Sequence, residues 1–283
     1  MKVVTTRADL RRVVGVAPFD ALALVPTMGY LHEGHLSLVR QAKAERGPVA
    51  ASIFVNPTQF GPAEDLATYP RDLDRDLALL EAEGCDLVWT PRIEDVYPPG
   101  FDTYVDVGSV TEVLEGASRP GHFRGVATVV NVLLNAVQPT SVYVGQKDAQ
   151  QCVVLRKMVT DLGMPVEVVI CPTVRERDGL AMSSRNAYLK GGDREAAGVL
   201  IRALRATDAA WHAGETSGDS LRREMLRVLD AEPRATVVYV SIADVDTLTE
   251  LDQVAPGRGA LASLAVRVGP PRLIDNLVLA PRP

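Results

Sequence analysis

Short apolar runs and stretches of helical period alternate through residues 21–171, and that rhythm admits few folds. Runs at 21–25, 48–55, 87–90, 141–144 and 165–171 read as buried strands, with Pro26, Asn56-Pro57 and Pro91 ending the first three. Between them, 34–46 carries Leu36, Leu38 and Val39, and 72–83 carries Leu73, Leu77 and Leu80, both at helical spacing. Gly84 closes the second of these helices. An apolar helix starts at Val126 and another covers 149–162. Strand and helix in alternation imply βαβ units, hence a Rossmann-like α/β domain: a mostly parallel sheet with helices on both faces. After Thr173 the order changes to helices at 193–213 and 217–231, then strands at 236–244, 259–268 and 273–279. That is the pattern of a small α+β domain, so the expected division is 1–173 and 174–283.

Composition removes several function classes. Of 283 residues, 47% are hydrophobic and 23% charged, which excludes a disordered chain, a collagen or a coiled coil. The net charge of −6 argues against nucleic acid or an anionic membrane as a partner. Residues 174–283 balance 15 basic against 15 acidic side chains, so the deficit lies entirely in 1–173. An anion bound there must be held by a few placed groups. Cys85, Cys152 and Cys171 are odd in number and form no C-x-x-C pair, which fits a reducing compartment better than disulfides or structural zinc. The first ten residues hold no apolar core of a secretory signal. The most apolar stretch, 126–137, contains Thr128, Asn131 and Asn135 and falls short of the ~20 residues of a membrane span. The expectation is a soluble cytoplasmic protein.

Polar clusters lie where such a sheet binds ligands, just past the carboxyl ends of strands. Pro26-Thr27-Met28-Gly29-Tyr30-Leu31-His32-Glu33-Gly34-His35 leaves one strand and opens a helix. His32 and His35, three apart, share a helical face, and a helix N-terminus presents N–H groups that suit a phosphate. The plainer alternative is two histidines that only cap the helix. Zinc is disfavoured, because the spacing is not HExxH and no third ligand is apparent. In Gly145-Gln146-Lys147-Asp148, Lys147 can meet a phosphate and Asp148 can accept from ribose hydroxyls, with Gln151 facing inward a turn later. Equally, Asp148 can be an N-cap and Lys147 a solvated charge. Asn56 and Gln59 can hold a small polar substrate without adding charge, or form an ordinary turn. Ser183, Ser184 and Arg185 can close over a polyphosphate, or belong to an ordinary loop or a helix start. Arg119 and His122 are anion ligands or part of a surface loop. Asp72, Asp74 and Asp76 read mostly as a solvated helix start that complements the helix dipole. Jointly, clusters expected at one sheet rim point to a nucleotide enzyme.

Through PTMGYLHEGH, SIFVNPTQFGPAEDLATYPRDL, RPGHFRGV, YVGQKDAQQ and TVRERDGLAMSSRN, covering about residues 20–190, the chain resembles the pantoate–β-alanine ligase family. That family is similar to nucleotidyltransferases and class I aminoacyl-tRNA synthetases, whose HIGH-type and KMSKS-type signatures would be His32–His35 and Met182–Arg185. The resemblance implies a ligase of pantothenate biosynthesis, on the way to coenzyme A. Pantoate reacts with ATP to give pantoyl adenylate and pyrophosphate, and β-alanine then displaces AMP. It further implies that Met28, Gly29, Tyr30, Leu31, His32, Glu33, Gly34 and His35 line ATP together with Gly145, Gln146, Lys147, Asp148, Val174, Met182, Ser183, Ser184 and Arg185. His35 would be the proton donor, with His32, Lys147 and Arg185 assisting. Gln59 and Gln151 would bind pantoate, seconded by Asn56, Arg119 and His122, and Gln59 would also meet β-alanine. The family implies a homodimer and no organic prosthetic group, and Mg²⁺ is expected to be held chiefly by ATP oxygens and water. Two departures stand out: Val144 and Ala149 replace frequent aromatics, and Arg75 replaces an acid beside Asp76. The alternative reading is an adenylyltransferase of another small acid or phosphorylated acceptor.

Overall fold

The computed structural model describes residues 1–15, 21–62 and 64–282. In chain order the elements are β1 (Lys2–Val4), α1 (Arg7–Val14), β2 (Ala23–Thr27), α2 (Glu33–Arg46), β3 (Val49–Ile53), α3 (Leu73–Ala82), β4 (Leu87–Trp89), α4 (Ile93–Val96), α5 (Glu115–Ser118), α6 (His122–Val137), β5 (Ser141–Gly145), α7 (Ala149–Asp161) and β6 (Glu167–Cys171). Then follow α8 (Gly192–Ala196), α9 (Val199–His212), α10 (Gly218–Leu229), β7 (Ala235–Ala243), β8 (Ala260–Val268) and β9 (Arg272–Leu279). The chain divides into two compact units. One comprises Met1–Glu112, Gly116–Gln146 and Val154–Pro172; the other comprises Val113–Glu115, Lys147–Val153 and Thr173–Pro283.

The first unit is built on a six-stranded sheet in the order β1-β4-β3-β2-β5-β6, with every pairing parallel. Strands leave β2 in one direction through β3 and β4 and in the other through β5 and β6. The order therefore reverses at β2/β5, the kind of point where such sheets bind ligands. Burial shows why these runs are continuously apolar rather than alternating. Ala23, Val25, Val49, Ala51, Val88 and Tyr143 join Leu36, Val39 and Ala42 of α2 and Leu80 of α3 in one core. Their neighbours Leu24, Ala50, Leu87 and Val142, directed to the other face, are just as buried. Each fully buried leucine contributes about 1.5–3 kcal/mol relative to exposure.

Some boundaries differ from expectation for identifiable reasons. Pro26 lies inside β2, paired with Ser52 of β3, instead of ending the strand. The β5 ladder covers only Ala23 and Leu24, so the missing proline N–H falls where that side is already unpaired. The apolar helix begins at His122, four residues before its apolar run. The expected 193–213 helix is two helices, interrupted at Ala197 and Gly198. β1 and α1 lie outside the expected set; β1 is a three-residue edge strand, too short for a periodic signal.

In the second unit a three-stranded antiparallel sheet, β7-β8-β9, packs with α9 and α10 around one core that includes Trp211, Leu221, Met225, Leu264 and Val266. Among the described residues no helix is long and apolar enough to cross a membrane.

Candidate active site

Where β2 ends, the chain turns sharply into α2. Gly29 (φ +82°) and Tyr30 (φ +51°) both adopt left-handed backbone. Thr27 Oγ1 donates to Ser52 O at 2.8 Å and accepts from Gly29 N at 3.2 Å. Asp76 grips the outer side of the turn: its carboxylate accepts from Tyr30 N at 2.6 Å and from Leu31 N at 2.7 Å. The expectation of a solvated acid here fails, since Asp76 is only 1% exposed. Burial pushes its pKa up, and the two backbone N–H donors work against that rise. Its spacing of four from Leu80, on the buried face of α3, was the available sequence signal.

The two histidines form a reciprocal cap on α2. His32 Nδ1 accepts from Gly34 N at 3.1 Å, and His35 Nδ1 accepts from His32 N at 3.3 Å. The rings lie 4.0 Å apart between centroids. A ring nitrogen that accepts carries no proton, so in the neutral form of both rings the hydrogen sits on Nε2. Capping thus uses Nδ1 of each ring, so any donation by the neutral ring falls to Nε2.

At the end of β3 a second constellation joins the first. Asn56 caps the turn Pro57–Gln59 and is 1% exposed. Its Nδ2 donates to Gln59 Oε1 at 2.9 Å and to Gly125 O at 3.2 Å, while Oδ1 accepts from Tyr97 Oη at 2.7 Å and Thr58 Oγ1 at 2.9 Å. Gln59 Nε2 points to Met28 Sδ at 3.3 Å, which brings the exits of β2 and β3 together. The turn presses on α6 so closely that a Cβ at Gly125 would sit 2.4 Å from Thr58 O.

Arg119 and His122 brace the same turn. Arg119 grips Glu64 through Nε and Nη2, both at 2.6 Å, and its Nη1 lies 2.9 Å from His122 Nε2. Arginine has no acceptor, so His122 Nε2 accepts; Nδ1 then carries the proton and donates to Gln59 O at 2.8 Å. Burial opposes ionisation of Glu64, yet the hydrogen bonds and charge of Arg119 hold its pKa down to about 2. Glu64 was not among the expected residues; nothing in its local sequence marks a partner 55 positions away.

The remaining expected residues, apart from Gly145 and Gln146 at the exit of β5, belong to the second unit. Lys147 Nζ lies 3.3 Å from Asp148 Oδ1. Gln150 is buried: its amide accepts from Glu115 N at 2.9 Å and donates to Val113 O at 2.8 Å, leaving the next residue, Gln151, half-buried on the first turn of α7. Val174 O accepts from Met182 N at 3.0 Å, closing a hairpin. Ser183 Oγ caps the short turn Ser184–Tyr188 by accepting from Arg185 N at 3.3 Å.

Among the described residues no three His, Cys, Asp or Glu side chains gather as a metal site. Asp76, the acid that clamps the turn leading to His32, has both oxygens engaged by backbone N–H groups and Arg75 Nη1 at 3.7 Å, so it does not fit as a ligand of Mg²⁺.

Comparison with known proteins agrees over the whole length. The family model described as pantoate-β-alanine ligase matches residues 2–278. Pantothenate synthetases of Herpetosiphon aurantiacus and Chloroflexus aggregans are 61% and 62% identical over 279 residues, covering 99% of this chain and 100% of each relative. The crystal structure of pantothenate synthetase from Thermus thermophilus superposes with a TM-score of 0.94 at 49% identity, covering 99% of this chain and 100% of that one. The pantoate-β-alanine ligase of Francisella tularensis, complexed with β,γ ATP and β-alanine, superposes with a TM-score of 0.81 at 32% identity, covering 99% and 98%. A six-stranded parallel sheet followed by a small antiparallel one is thus shared with solved members, and the chain belongs to the pantoate–β-alanine ligase family.

Proposed function

We propose that the chain condenses pantoate with β-alanine, cleaving ATP to AMP and pyrophosphate. A carboxylate is a poor electrophile, so it must first be activated. A carboxylate oxygen of pantoate bonds to the α-phosphorus as the bond to the β-phosphate bridging oxygen breaks, and pyrophosphate leaves. The amine of β-alanine then attacks the acyl carbon, the acyl–oxygen bond to AMP breaks, and the ammonium proton is released.

The observation that carries this reading is the His32/His35 cap. It fixes both rings with Nε2–H as the donor, at the N-terminus of the 14-residue helix α2, beside the strand-order reversal. Donors held there stabilise charge that builds on the α-phosphoryl group and on the departing pyrophosphate. His35 is assigned as proton donor, with His32 beside it. Met28, Gly29, Tyr30, Leu31, Glu33 and Gly34 line the nucleotide, as do Gly145, Gln146, Asp148 and the backbone of Val174. Lys147, Met182, Ser183, Ser184 and Arg185 are assigned to the phosphates. Gln59 and Gln151 bind pantoate, and Gln59 also meets β-alanine. Asn56, Arg119 and His122 support the pantoate site; their hydrogen bonds to Gln59 favour a supporting role over direct contact. Mg²⁺ enters as the ATP complex, and no step is assigned to it. Residues 1–173, apart from 113–115 and 147–153 of the second unit, form the nucleotide- and pantoate-binding domain and 174–283 the lid, in a cytoplasmic homodimer.

Pantoate labelled with ¹⁸O in its carboxylate tests the route. One label should appear in AMP, and AMP release should require both pantoate and β-alanine. Formation of ADP instead would exclude the adenylate.

A further inference from the structure

Strand β9 carries two adjacent buried polar residues, Asp275 at 1% and Asn276 at 4% exposure. Buried polar side chains are costly unless bonded, and both are bonded to segments far away in sequence. Asp275 accepts from Arg175 through two points, Nη1 to Oδ2 at 2.6 Å and Nη2 to Oδ1 at 3.0 Å. The same guanidinium donates to Gly179 O at 3.0 Å. Arg175 thereby ties to β9 the hairpin closed by Met182 N to Val174 O at 3.0 Å and Glu176 N to Leu180 O at 2.8 Å. That hairpin runs directly into Met182–Arg185. Asn186 folds the far end back, donating to Glu176 Oε1 at 2.8 Å and Ala181 O at 3.1 Å. Asn276 reaches the other segment, with Nδ2 donating to Lys147 O at 2.9 Å.

We propose that Asp275 and Asn276 are positioning residues for ATP. Asp275 sets the Met182–Arg185 segment through Arg175, and Asn276 sets Lys147 through its carbonyl. This rests on the assignment of Lys147 and Met182–Arg185 to the phosphates. Neighbouring residues of one rigid strand thus fix two phosphate-binding segments in a common frame within the second unit, and positioning of this kind acts on reactant geometry.

Steady-state kinetics on the full chain test it with Asn276→Asp, which replaces the donor by an acceptor of the same shape, and Asp275→Asn, which removes the charge. Each should raise KM for ATP by about tenfold, while KM for pantoate and for β-alanine stays within about twofold. Ser263→Ala is the control: Ser263 pairs with Asn276 in the β8–β9 ladder, and its hydroxyl makes no hydrogen bond to either segment among the described residues. It should leave KM for ATP unchanged. A double-mutant cycle separates positioning from general damage. In a Lys147→Ala background, Asn276→Ala should lose most of its effect on ATP binding, read by calorimetric titration of a non-hydrolysable ATP analogue. Should Asp275→Asn fail to fold, Arg175→Lys keeps the charge but gives up the two-point grip and should raise KM for ATP in the same way. Unchanged KM for ATP, equal shifts for all three substrates, or full additivity with Lys147→Ala would overturn the inference while leaving the ligase reading intact. A wild-type chain without pantoate-dependent AMP release would overturn both.

Discussion

In the first unit, side chains near the site act on the backbone at the very point where the parallel strands end; in the second, the expected phosphate-binding segments hang from an antiparallel strand 100 to 129 residues further along. His32 and His35 cap each other across three residues, and Asn56 holds Gln59 across three. Lys147 and Arg175 are instead fixed by Asn276 and Asp275. In these first two pairs the hold is local, so a capping group can also be a working group, although Asp76 clamps the same turn from 46 residues away. The second unit separates the two roles: the residues that hold are not the residues proposed to touch the nucleotide.

The sharpest way to break that contrast is to keep the cap and remove the chemistry. In His32→Asn, the Asn side-chain oxygen can still accept from Gly34 N, because Asn is among the best N-caps, but the Nε2 donor is gone. Turnover at saturating substrates should fall by about a hundredfold or more, the usual cost of losing a transition-state donor. The thermal midpoint should barely move. Turnover within about threefold of wild type would mean that His32 only caps the helix.

Asp76 tests the holding side of the first unit. Asp76→Ala leaves two buried N–H groups, those of Tyr30 and Leu31, without their carboxylate and should cost about 3 kcal/mol in chemical denaturation. Activity should fall as well, because the turn that fixes His32 is then unclamped. A loss below about 1 kcal/mol would show that the positive-φ turn at Gly29 and Tyr30 holds itself.

These residues also mark how far the fold and site could be read without coordinates. The parallel sheet was legible because continuous apolar strands alternating with helical period leave little else. The histidine turn, the Asn56–Gln59 turn and the Ser183 turn were legible because capping is local and uses few residue types. Asp76 was misread because an acid in the first turn of a helix ordinarily faces water; its partners lie 46 and 45 residues back, in the turn between β2 and α2. Glu64, Asp275 and Asn276 left no trace for the same reason. A polar residue that braces something distant has no period, and its burial depends on pairing that only the folded chain reveals.

Glu64 sharpens the comparison through pH. Its carboxyl titrates near 2 when folded, below its ordinary 4.5, so pairing with Arg119 stabilises the fold fully above about pH 4.5. That contribution fades as pH falls toward 2. With Glu64 one-quarter exposed, its size is about 2 kcal/mol after allowing for solvent screening. Wild type and Glu64→Gln should therefore differ by this amount in denaturation at about pH 6 and converge near pH 2. A constant gap across that range would assign the effect to packing of the loop instead.

The smallest effect belongs to a cap in the second unit, which is the natural counterpart of His32. Ser217 Oγ accepts from Ser220 N at 3.3 Å at the start of α10, whose buried Leu221, Met225 and Leu229 carry the helix into the core. Ser217→Ala should cost about 1 kcal/mol, the ordinary value of an N-cap, and should leave kcat and all three KM values alone. The two caps do the same work for their helices, but only the one beside the strand-order reversal is also proposed to face the chemistry. If Ser217→Ala reduced turnover beyond what its lost stability explains, capping itself would be transmitted to catalysis, and the drop expected for His32→Asn could no longer be ascribed to its Nε2 proton.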